Sequence, residues 1–331
     1  MRINLIGAGG CGCNIVAYLK ANLDTKHRSE FRDLYIDTST NNATSEALAE
    51  NRFHHIKSMD VEGNKLSGSG GERITNFQHI KLGVNEFINT LKLHQNHDLN
   101  IVVFSLSGGT GSVAAPVIID NLLATGANVI GLVVADSTNF QFIHNSERTI
   151  VTLNTIAKKR AALPLMYFNN KVYRTNNEID KIKACNRDVL SVISTLSIFT
   201  SGENKDIDDK DMELMFKPHL YSALNISNGI YGISAGVCEL TERELKDKNV
   251  ILGRTLVATE DEGLAISPLS NYPLLQYKEG LTEAEIAGHI DIMISDNLSE
   301  LYDSLVADKE AFINREVISS IPEAEDDIMA F

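Results

Sequence analysis

Two glycine-rich segments contain the residues best suited to bind a ligand. Gly7–Asn14 reads GAGGCGCN and Ser107–Ser112 reads SGGTGS, while a third glycine segment, Gly68–Gly71, lies between them. Glycine lets the backbone adopt positive φ and approach a ligand closely. Successive backbone N–H groups at the start of a helix bind anions. These segments therefore predict three phosphate-binding loops.

The first segment alone does not decide the ligand. Gly7, Gly9 and Gly12 fit the dinucleotide fingerprint, and Asp37 follows the next predicted strand, where a ribose-binding acid would lie. The second segment adds further backbone and hydroxyl donors, and a triphosphate needs donors from several directions. Three loops thus favour a nucleoside triphosphate over NAD. An NAD-dependent dehydrogenase stays as the alternative from a different class.

Short apolar strands that alternate with helices must position these loops. The predicted strands are Ile3–Ile6, Leu34–Ile36, Leu99–Phe104, Val129–Ala135 and Leu163–Phe168, with a helix over Cys13–Leu23 after the first. Such alternation predicts an α/β fold with a Rossmann-like parallel sheet covered on both faces. Ligands bind at the carboxyl ends of the strands in such sheets, and the first and second glycine segments follow strand ends.

The rest of the chain predicts a second region. Residues 179–200 have helical periodicity, an acidic loop follows, and residues 228–240 and 250–266 have β character. A long helix is expected from Thr282, although the alternation in His289–Ser295 also fits a strand. The expected division is a nucleotide-binding domain at 1–178, a central helix at 179–200, a second domain at 201–280, and a C-terminal helix with an acidic tail at 281–331.

Composition limits the possible partners and compartment. The chain has 331 residues, of which 43% are hydrophobic and 22% charged, as in soluble globular proteins. No apolar run is long enough for a membrane span, and the net charge of −14 does not favour direct nucleic-acid binding. Four cysteines, two of them inside a glycine loop, do not suggest a disulfide framework. We therefore expect a cytoplasmic protein.

These loops resemble those of the tubulin/FtsZ family. Ser107–Ser112 resembles the glycine-rich signature of that family, and Gly9–Asn14 and Gly68–Gly71 are similar to its first and third phosphate loops. Within the family, the acidic C-terminal tail is most similar to that of phage-encoded tubulins of the PhuZ type. The resemblance implies a GTP-binding domain, a central helix, a smaller α+β second (activation) domain, and a long C-terminal helix and tail.

The resemblance also implies that GTP or GDP binds with Mg²⁺, and it assigns the phosphate contacts. The α- and β-phosphates are expected at the first loop, the β- and γ-phosphates at the second, and the γ-phosphate at the third. The residues in these roles are, in that order, Gly9, Gly10, Cys11 and Gly12; Gly108, Gly109, Thr110, Gly111 and Ser112; and Gly70 and Gly71.

Further family roles fall on single residues. Asn14 and Asn186 stand where the family contacts guanine, and Asn169 is a base or ribose candidate. Glu147 has the spacing of the family's ribose-binding Glu. Asp37 is expected to position Mg²⁺ through water, since hard cations prefer oxygen ligands.

Hydrolysis is expected to involve two subunits. The loop around Asp208 and Asp211 is similar to the family loop that completes the active site of the neighbouring subunit; Asp206 and Asp209 have the same spacing and stay as the alternative pair. The carboxylates would orient the attacking water. Such a contact is head-to-tail, and a head-to-tail contact that does not close makes a filament.

The resemblance implies a GTPase that polymerises into dynamic filaments. By family analogy, the filament is a phage spindle that positions phage DNA in the cytoplasm of the infected bacterium. The tail, Pro322–Phe331, is expected to dock on the adjacent subunit. A plasmid-partition filament is the alternative within the family.

Overall fold

The computed structural model describes residues 2–23, 31–59, 65–71, 73, 77–91, 98–135, 139–169, 177–200, 213, 216–220, 227–239, 251–260, 263–266, 286–295 and 297–313. All structural statements below refer to these residues. Among them, no helix combines the length and the apolar character needed to cross a membrane.

One mixed sheet dominates the described part of the chain. Its strands are β1 Ile3–Ala8, β2 Phe31–Asp37, β3 Phe53–His55, β6 Leu99–Ser105, β7 Asn128–Ala135, β8 Leu163–Asn169, β9 Ile230–Glu239, β10 Ile251–Glu260, β11 Gly263–Ile266 and β12 Ile286–Ser295, and a small separate hairpin pairs β4 Ser58–Met59 with β5 Lys65–Leu66. The order across the sheet is β11-β10-β12-β9-β8-β7-β6-β1-β2-β3. The run from β3 to β9 is parallel, whereas β12, β10 and β11 continue antiparallel.

Helices cover both faces of the parallel part. They are α1 Gly9–Asn22, α2 Ser45–Ala49, α3 Phe77–Leu91, α4 Gly111–Ala124, α5 Phe140–Lys159, α6 Glu178–Thr200 and α7 Asn297–Ile313, with single 3₁₀ turns at Thr40–Asn42 and Pro218–Leu220. Apolar residues of α1 and α6 form a core on one face. Those of α3, α4, α5 and α7 form a second core on the other face. The predicted α/β fold with a covered parallel sheet is therefore confirmed.

The central strands are continuous apolar runs because both of their faces are covered. Every residue of β1, β6 and β7 is buried. Helix α1 begins at Gly9, four positions before the predicted start at Cys13. Glycine is a poor helix former, so the sequence pattern did not predict that residues 9–12 form the first turn of the helix. The turn forms because Gly12 packs directly on the Val103 carbonyl.

The long helix predicted from Thr282 is wrong in its first part. Residues Ile286–Ser295 form β12, which pairs antiparallel with both β9 and β10. Alternating apolar positions at Ile290, Ile292 and Ile294 suit a strand, and β-branched side chains favour it. The helix begins only at Asn297. β12 belongs to the same sheet as β9 and β10, and the expected division into domains stays a prediction.

Helix α7 completes the core under α5. Leu298, Leu301 and Leu305 are buried in the cluster that contains the apolar residues of α4 and α5. Lys309 also donates to the Glu147 carboxylate on α5 at 2.5 Å. The apolar side of α7 is thus used within the subunit. The predicted acidic tail, Pro322–Phe331, lies outside the described residues.

Candidate functional site

A cavity of about 180 Å³ lies at the carboxyl ends of β1, β2 and β6. Its walls come from the two glycine turns, from the segment after β2 and from the third glycine loop. The residues that line it are Ala8, Gly9, Gly10, Cys11, Asp37, Thr38, Ser39, Asn42, Gly68, Ser69, Ser105, Gly108, Gly109, Thr110 and Gly111. This edge of a parallel sheet is where ligands bind in α/β proteins.

The first glycine turn is pressed against the second. Gly9 has φ +71°, and a Cβ atom on it would lie 2.5 Å from the Gly111 nitrogen. A Cβ on Gly111 would in turn lie 2.7 Å from the Ala8 carbonyl oxygen. Glycine is required at both positions because the two backbones touch. The contact brings the starts of α1 and α4 together at one point of the cavity.

Both helices present bare N-termini to the cavity. Within the described residues, neither α1 nor α4 has a side-chain cap at its start or an acidic residue in its first turn. The first N–H groups of a helix lack partners inside the helix, and the helix dipole adds partial positive charge there. Two such ends side by side make a binding site for an anion.

Buried hydroxyl groups connect the second glycine turn to its neighbours. Thr110 Oγ1 lies 2.7 Å from Thr38 Oγ1 and donates to Ser69 Oγ at 3.2 Å. Gly109 packs directly on Ser69 and Gly71, so a side chain there would collide with the third loop. The second turn is therefore held between the end of β2 and the third loop.

Asp37 is the one acidic side chain among the described residues that line the cavity. Its carboxylate accepts hydrogen bonds from the Thr38 backbone nitrogen at 2.8 Å and from Asn42 Nδ2 at 2.7 Å. Burial raises the pKa of this carboxyl above its ordinary value of 3.8, and the hydrogen bonds from Asn42 and Thr38 oppose that shift. The Asp37 carboxylate would repel an anion bound at the two helix N-termini unless a cation lay between them.

Side chains of helix α5 donate hydrogen bonds to the second and third glycine loops. Asn145 Nδ2 donates to the Gly71 carbonyl oxygen at 3.2 Å and to that of Ser107 at 3.0 Å. Thr149 Oγ1 donates to the Leu106 carbonyl oxygen at 3.1 Å. The second and third loops are therefore fastened to the same helix.

The structure brings half of the predicted binding residues together around the cavity. Those that line it are Gly9, Gly10, Cys11, Asp37, Gly108, Gly109, Thr110 and Gly111. Gly12 and Ser112 lie behind the residues that line the cavity. Gly12 packs on Val103, and Ser112 Oγ donates to the Gly109 carbonyl oxygen at 3.4 Å. Their positions support the turns from inside.

Gly70 and Gly71 lie in the third loop beside the second turn but do not line the cavity. Both have positive φ, +60° and +78°. Asn14 is exposed on α1, and Asn186 is half-buried on α6, a helix that packs against α1. Asn169 ends β8. Asn14 and Asn186 are not among the residues that line the cavity.

Glu147 does not reach the cavity. Its carboxylate pairs with Lys309 of α7, and His144 Nδ1 lies 3.9 Å from the same oxygen. Burial lowers the pKa of His144, and the positive charges of Arg148 and Lys309 add to this. The ribose contact of Glu147 stays a prediction. Asp206, Asp208, Asp209 and Asp211 lie outside the described residues.

The sequence interpretation missed several polar residues of the cavity wall. Thr38, Ser39 and Asn42 follow β2, and Ser69 belongs to the third loop. For the residues after β2, their position beyond a strand end was the available signal, because that edge carries the ligand in such sheets. Cys13, by contrast, is structural: its buried thiol lies 3.4 Å from the Gly7 carbonyl oxygen, and burial raises its pKa.

Fold and site together define an α/β protein with an anion-binding edge built from three glycine loops. The chain belongs to the tubulin/FtsZ family, GTPase domain, which residues 2–177 match. This finding confirms the resemblance seen in the loops and argues against the dehydrogenase alternative.

Individual relatives agree with this assignment. A phage tubulin-like protein of Pseudomonas phage PhiPA3 is 28% identical over 209 residues, covering 62% of this chain and 58% of the relative, so the chain spans less than two thirds of that protein's length. A protofilament of TubZ from bacteriophage PhiKZ has the same fold, with a TM-score of 0.72 at 16% identity over 98% of this chain and 96% of that one. The phage tubulin PhuZ with GDP gives 0.65 at 16% identity, covering 94% and 90%.

Proposed function

We propose that this protein binds GTP and GDP in the cavity between its glycine turns. The observation that carries the proposal is the meeting of two uncapped helix N-termini at Gly9 and Gly111. Polyphosphate is the anion that suits several converging backbone donors. The GDP bound by PhuZ, a protein of the same fold, supports this choice of ligand.

Mg²⁺ fits the donor set at the same place. Asp37 offers a buried carboxylate to a cavity that otherwise attracts negative charge. A hard cation that prefers oxygen would relieve the repulsion between this carboxylate and the phosphates. Asp37 would hold the ion through water, and the ion would neutralise charge on the phosphate oxygens.

The base would extend toward α1 and α6. Asn14 and Asn186 lie on these two packed helices, on the side of the sheet opposite α4 and α5. Their amides offer a donor and an acceptor each to the edge of a guanine. Asn169, at the end of β8, is a further contact to base or ribose.

We propose that hydrolysis requires a second copy of the chain. Asp208 and Asp211 would enter the cavity of the neighbouring subunit and orient the attacking water, while the backbone donors of the glycine turns stabilise charge on the phosphates. Each contact is head-to-tail, so repetition makes a filament. The PhiKZ relative, which forms a protofilament, supports this assembly.

The cellular role that we propose is a phage spindle that positions phage DNA in the host cytoplasm. The phage origin of the relatives favours it over plasmid partition. The tail, Pro322–Phe331, would dock on the adjacent subunit and add to the filament contact.

A pelleting experiment tests the assembly. Protein is sedimented after addition of GTP, GDP or ATP, and phosphate release is measured in the same samples. We expect polymer with GTP alone, together with phosphate release that rises more steeply than protein concentration. A hydrolysis rate proportional to concentration, with no polymer, would contradict the two-subunit site.

Substitution of the acidic loop tests the catalytic pair. Asp211→Ala should lower GTP hydrolysis about 100-fold, the scale of one lost acid–base or water-orienting group, and leave stable polymer. Asp209→Ala is the matched control from the alternative pair and should retain most of the rate. A reversed result would assign catalysis to Asp206 and Asp209.

A further inference from the structure

A single buried amide joins two of the three glycine loops. Asn145, on the second turn of α5, is only 6% exposed. Its Nδ2 donates to the carbonyl oxygen of Gly71 in the third loop and to that of Ser107 in the second. Both protons of the amide are therefore used, one on each loop. An aspartate of the same size offers neither proton.

The neighbouring contacts make Asn145 the centre of a small clamp. Gln141, one turn earlier and exposed, donates to the same Gly71 oxygen at 3.1 Å. On the far side of the loops, Ser69 and Thr110 share a hydrogen bond. The third loop is thus held against the second from α5 and from the cavity.

The three glycine loops lie in a row, in which each contacts the next. The first turn contacts the second at Gly111, and the second contacts the third at Gly109. In this row the second turn lies between the first turn and Gly71 of the third loop. A nucleotide whose inner phosphates occupied the first turn would bring its terminal phosphate nearest to the third loop.

We propose that Asn145 is a positioning residue that sets the preference of this protein for a nucleoside triphosphate over a diphosphate. The inference rests on the proposed function, namely that a nucleotide binds in this cavity. Asn145 does not line the cavity, so it acts through Ser69 and Gly71 of the third loop. Without its two hydrogen bonds, the one side chain that links the third loop directly to the second from α5 is lost, and donors for the terminal phosphate are less preorganised.

Equilibrium titration of Asn145→Ala with GTPγS and with GDP tests this role. We expect the affinity for GTPγS to fall about tenfold, which corresponds to about 1.4 kcal/mol, and the affinity for GDP to change less than about twofold. The matched control is Asn154→Ala on the same helix, whose side chain accepts from the Ile230 nitrogen at 3.3 Å, far from the glycine loops. It should leave the ratio of the two affinities unchanged.

Gln141→Ala supplies a second variant, because an exposed side chain with one bond to Gly71 can be removed without unfolding the protein. It should lower the affinity for GTPγS about threefold, which corresponds to the loss of one weak hydrogen bond, and leave the affinity for GDP unchanged. Equal losses for both nucleotides in Asn145→Ala, or unfolding of Asn145→Ala together with an unchanged ratio in Gln141→Ala, would overturn the role. Failure of the wild type to bind either nucleotide would instead reject the proposed function.

Discussion

The two glycine turns are built in different ways, although their sequences look alike. The turn at Ala8–Gly12 is fixed by contacts between backbones. Gly9 packs against Gly111, and Gly12 packs against the Val103 carbonyl. The turn at Ser107–Ser112 is held by side chains that come from three other segments, Thr38, Ser69 and Asn145. Both turns exclude side chains where backbones touch, at Gly9 and Gly12 in the first and at Gly109 and Gly111 in the second, but only the second has room at Gly108.

This difference separates two tasks within one site. A rigid first turn provides a fixed place for the phosphates that GTP and GDP share. A second turn linked to the third loop through hydroxyl and amide groups is the part whose geometry depends on neighbours. Substitution of Gly9 should therefore abolish binding, whereas substitutions at Gly108 and Thr110 should tune it.

The largest effect is expected from Gly9→Ala. The substitution places a Cβ 2.5 Å from the Gly111 nitrogen and forces an alanine to φ +71°. Overpacking and backbone strain should lower the free energy of unfolding by about 3 kcal/mol. Separation of the two helix N-termini should weaken nucleotide binding at least about 100-fold, two tenfold steps of 1.4 kcal/mol. Chemical denaturation and nucleotide titration measure both.

Gly108→Ala is the matched variant in the second turn. The nearest atom to its new Cβ is Ser105 Cβ at 4.0 Å. The free energy of unfolding should change by less than about 0.5 kcal/mol. Equal destabilisation by the two glycine substitutions would remove the distinction between the turns.

An intermediate effect is expected from Asp37→Asn, which lies between the turns. Asn42 connects it to the first turn near Gly10, and Thr38 connects it to Thr110 in the second. Loss of the carboxylate should weaken the Mg²⁺-dependent part of GTP binding about tenfold, the scale of one outer-shell metal partner. Titrations with and without Mg²⁺ should converge in the variant but not in the wild type.

The same variant has a pH signature. Because burial raises the pKa of Asp37 in the folded state, the folded protein binds more protons than the unfolded chain above pH 3.8. The free energy of unfolding of the nucleotide-free wild type should therefore fall as pH rises from 3.8 through the raised folded pKa. Asp37→Asn should lack this decrease and be more stable than the wild type at neutral pH. Urea denaturation across this range measures the difference, and parallel curves would contradict it.

The smallest effect on nucleotide affinity is expected from Thr110→Val, which removes the hydroxyl bonds to Thr38 and Ser69 but keeps the shape. The free energy of unfolding should fall by about 1 kcal/mol and nucleotide affinity by about fivefold. Thr125→Val, at the other end of α4, loses one bond to the Leu122 carbonyl and should leave affinity unchanged. An affinity loss in Thr125→Val equal to that in Thr110→Val would show that general destabilisation is responsible.

The sequence predicted the parts of the fold that depend on local pattern. Apolar runs such as Leu99–Ser105 mark buried parallel strands, and glycines after strand ends mark the turns. The prediction failed over Ile286–Ser295, where apolar spacing near the helical period coexists with alternation. The pairing partners of β12 lie more than 25 residues away in the chain, so only the sheet resolves the ambiguity.

The site was predictable where one segment builds it and not where several meet. Glycine spacing identified both turns, but Thr38, Ser69 and Asn145 converge from three segments that share no motif. Glu147 was expected from the spacing of the family's ribose-binding Glu. It lies two residues after Asn145, and two residues on a helix turn the side chain by about 200°. Its carboxylate accordingly pairs with Lys309 rather than with the loops that Asn145 contacts.

The packing of α7 on α5 has a consequence for biosynthesis. Leu298, Leu301 and Leu305 close the core on the α4–α5 face, yet they are translated more than 130 residues after the end of α5. While the ribosome makes the intervening chain, the apolar residues of α4 and α5 that α7 later covers stay exposed. The core on this face is therefore complete only after residues 297–305 have left the ribosome.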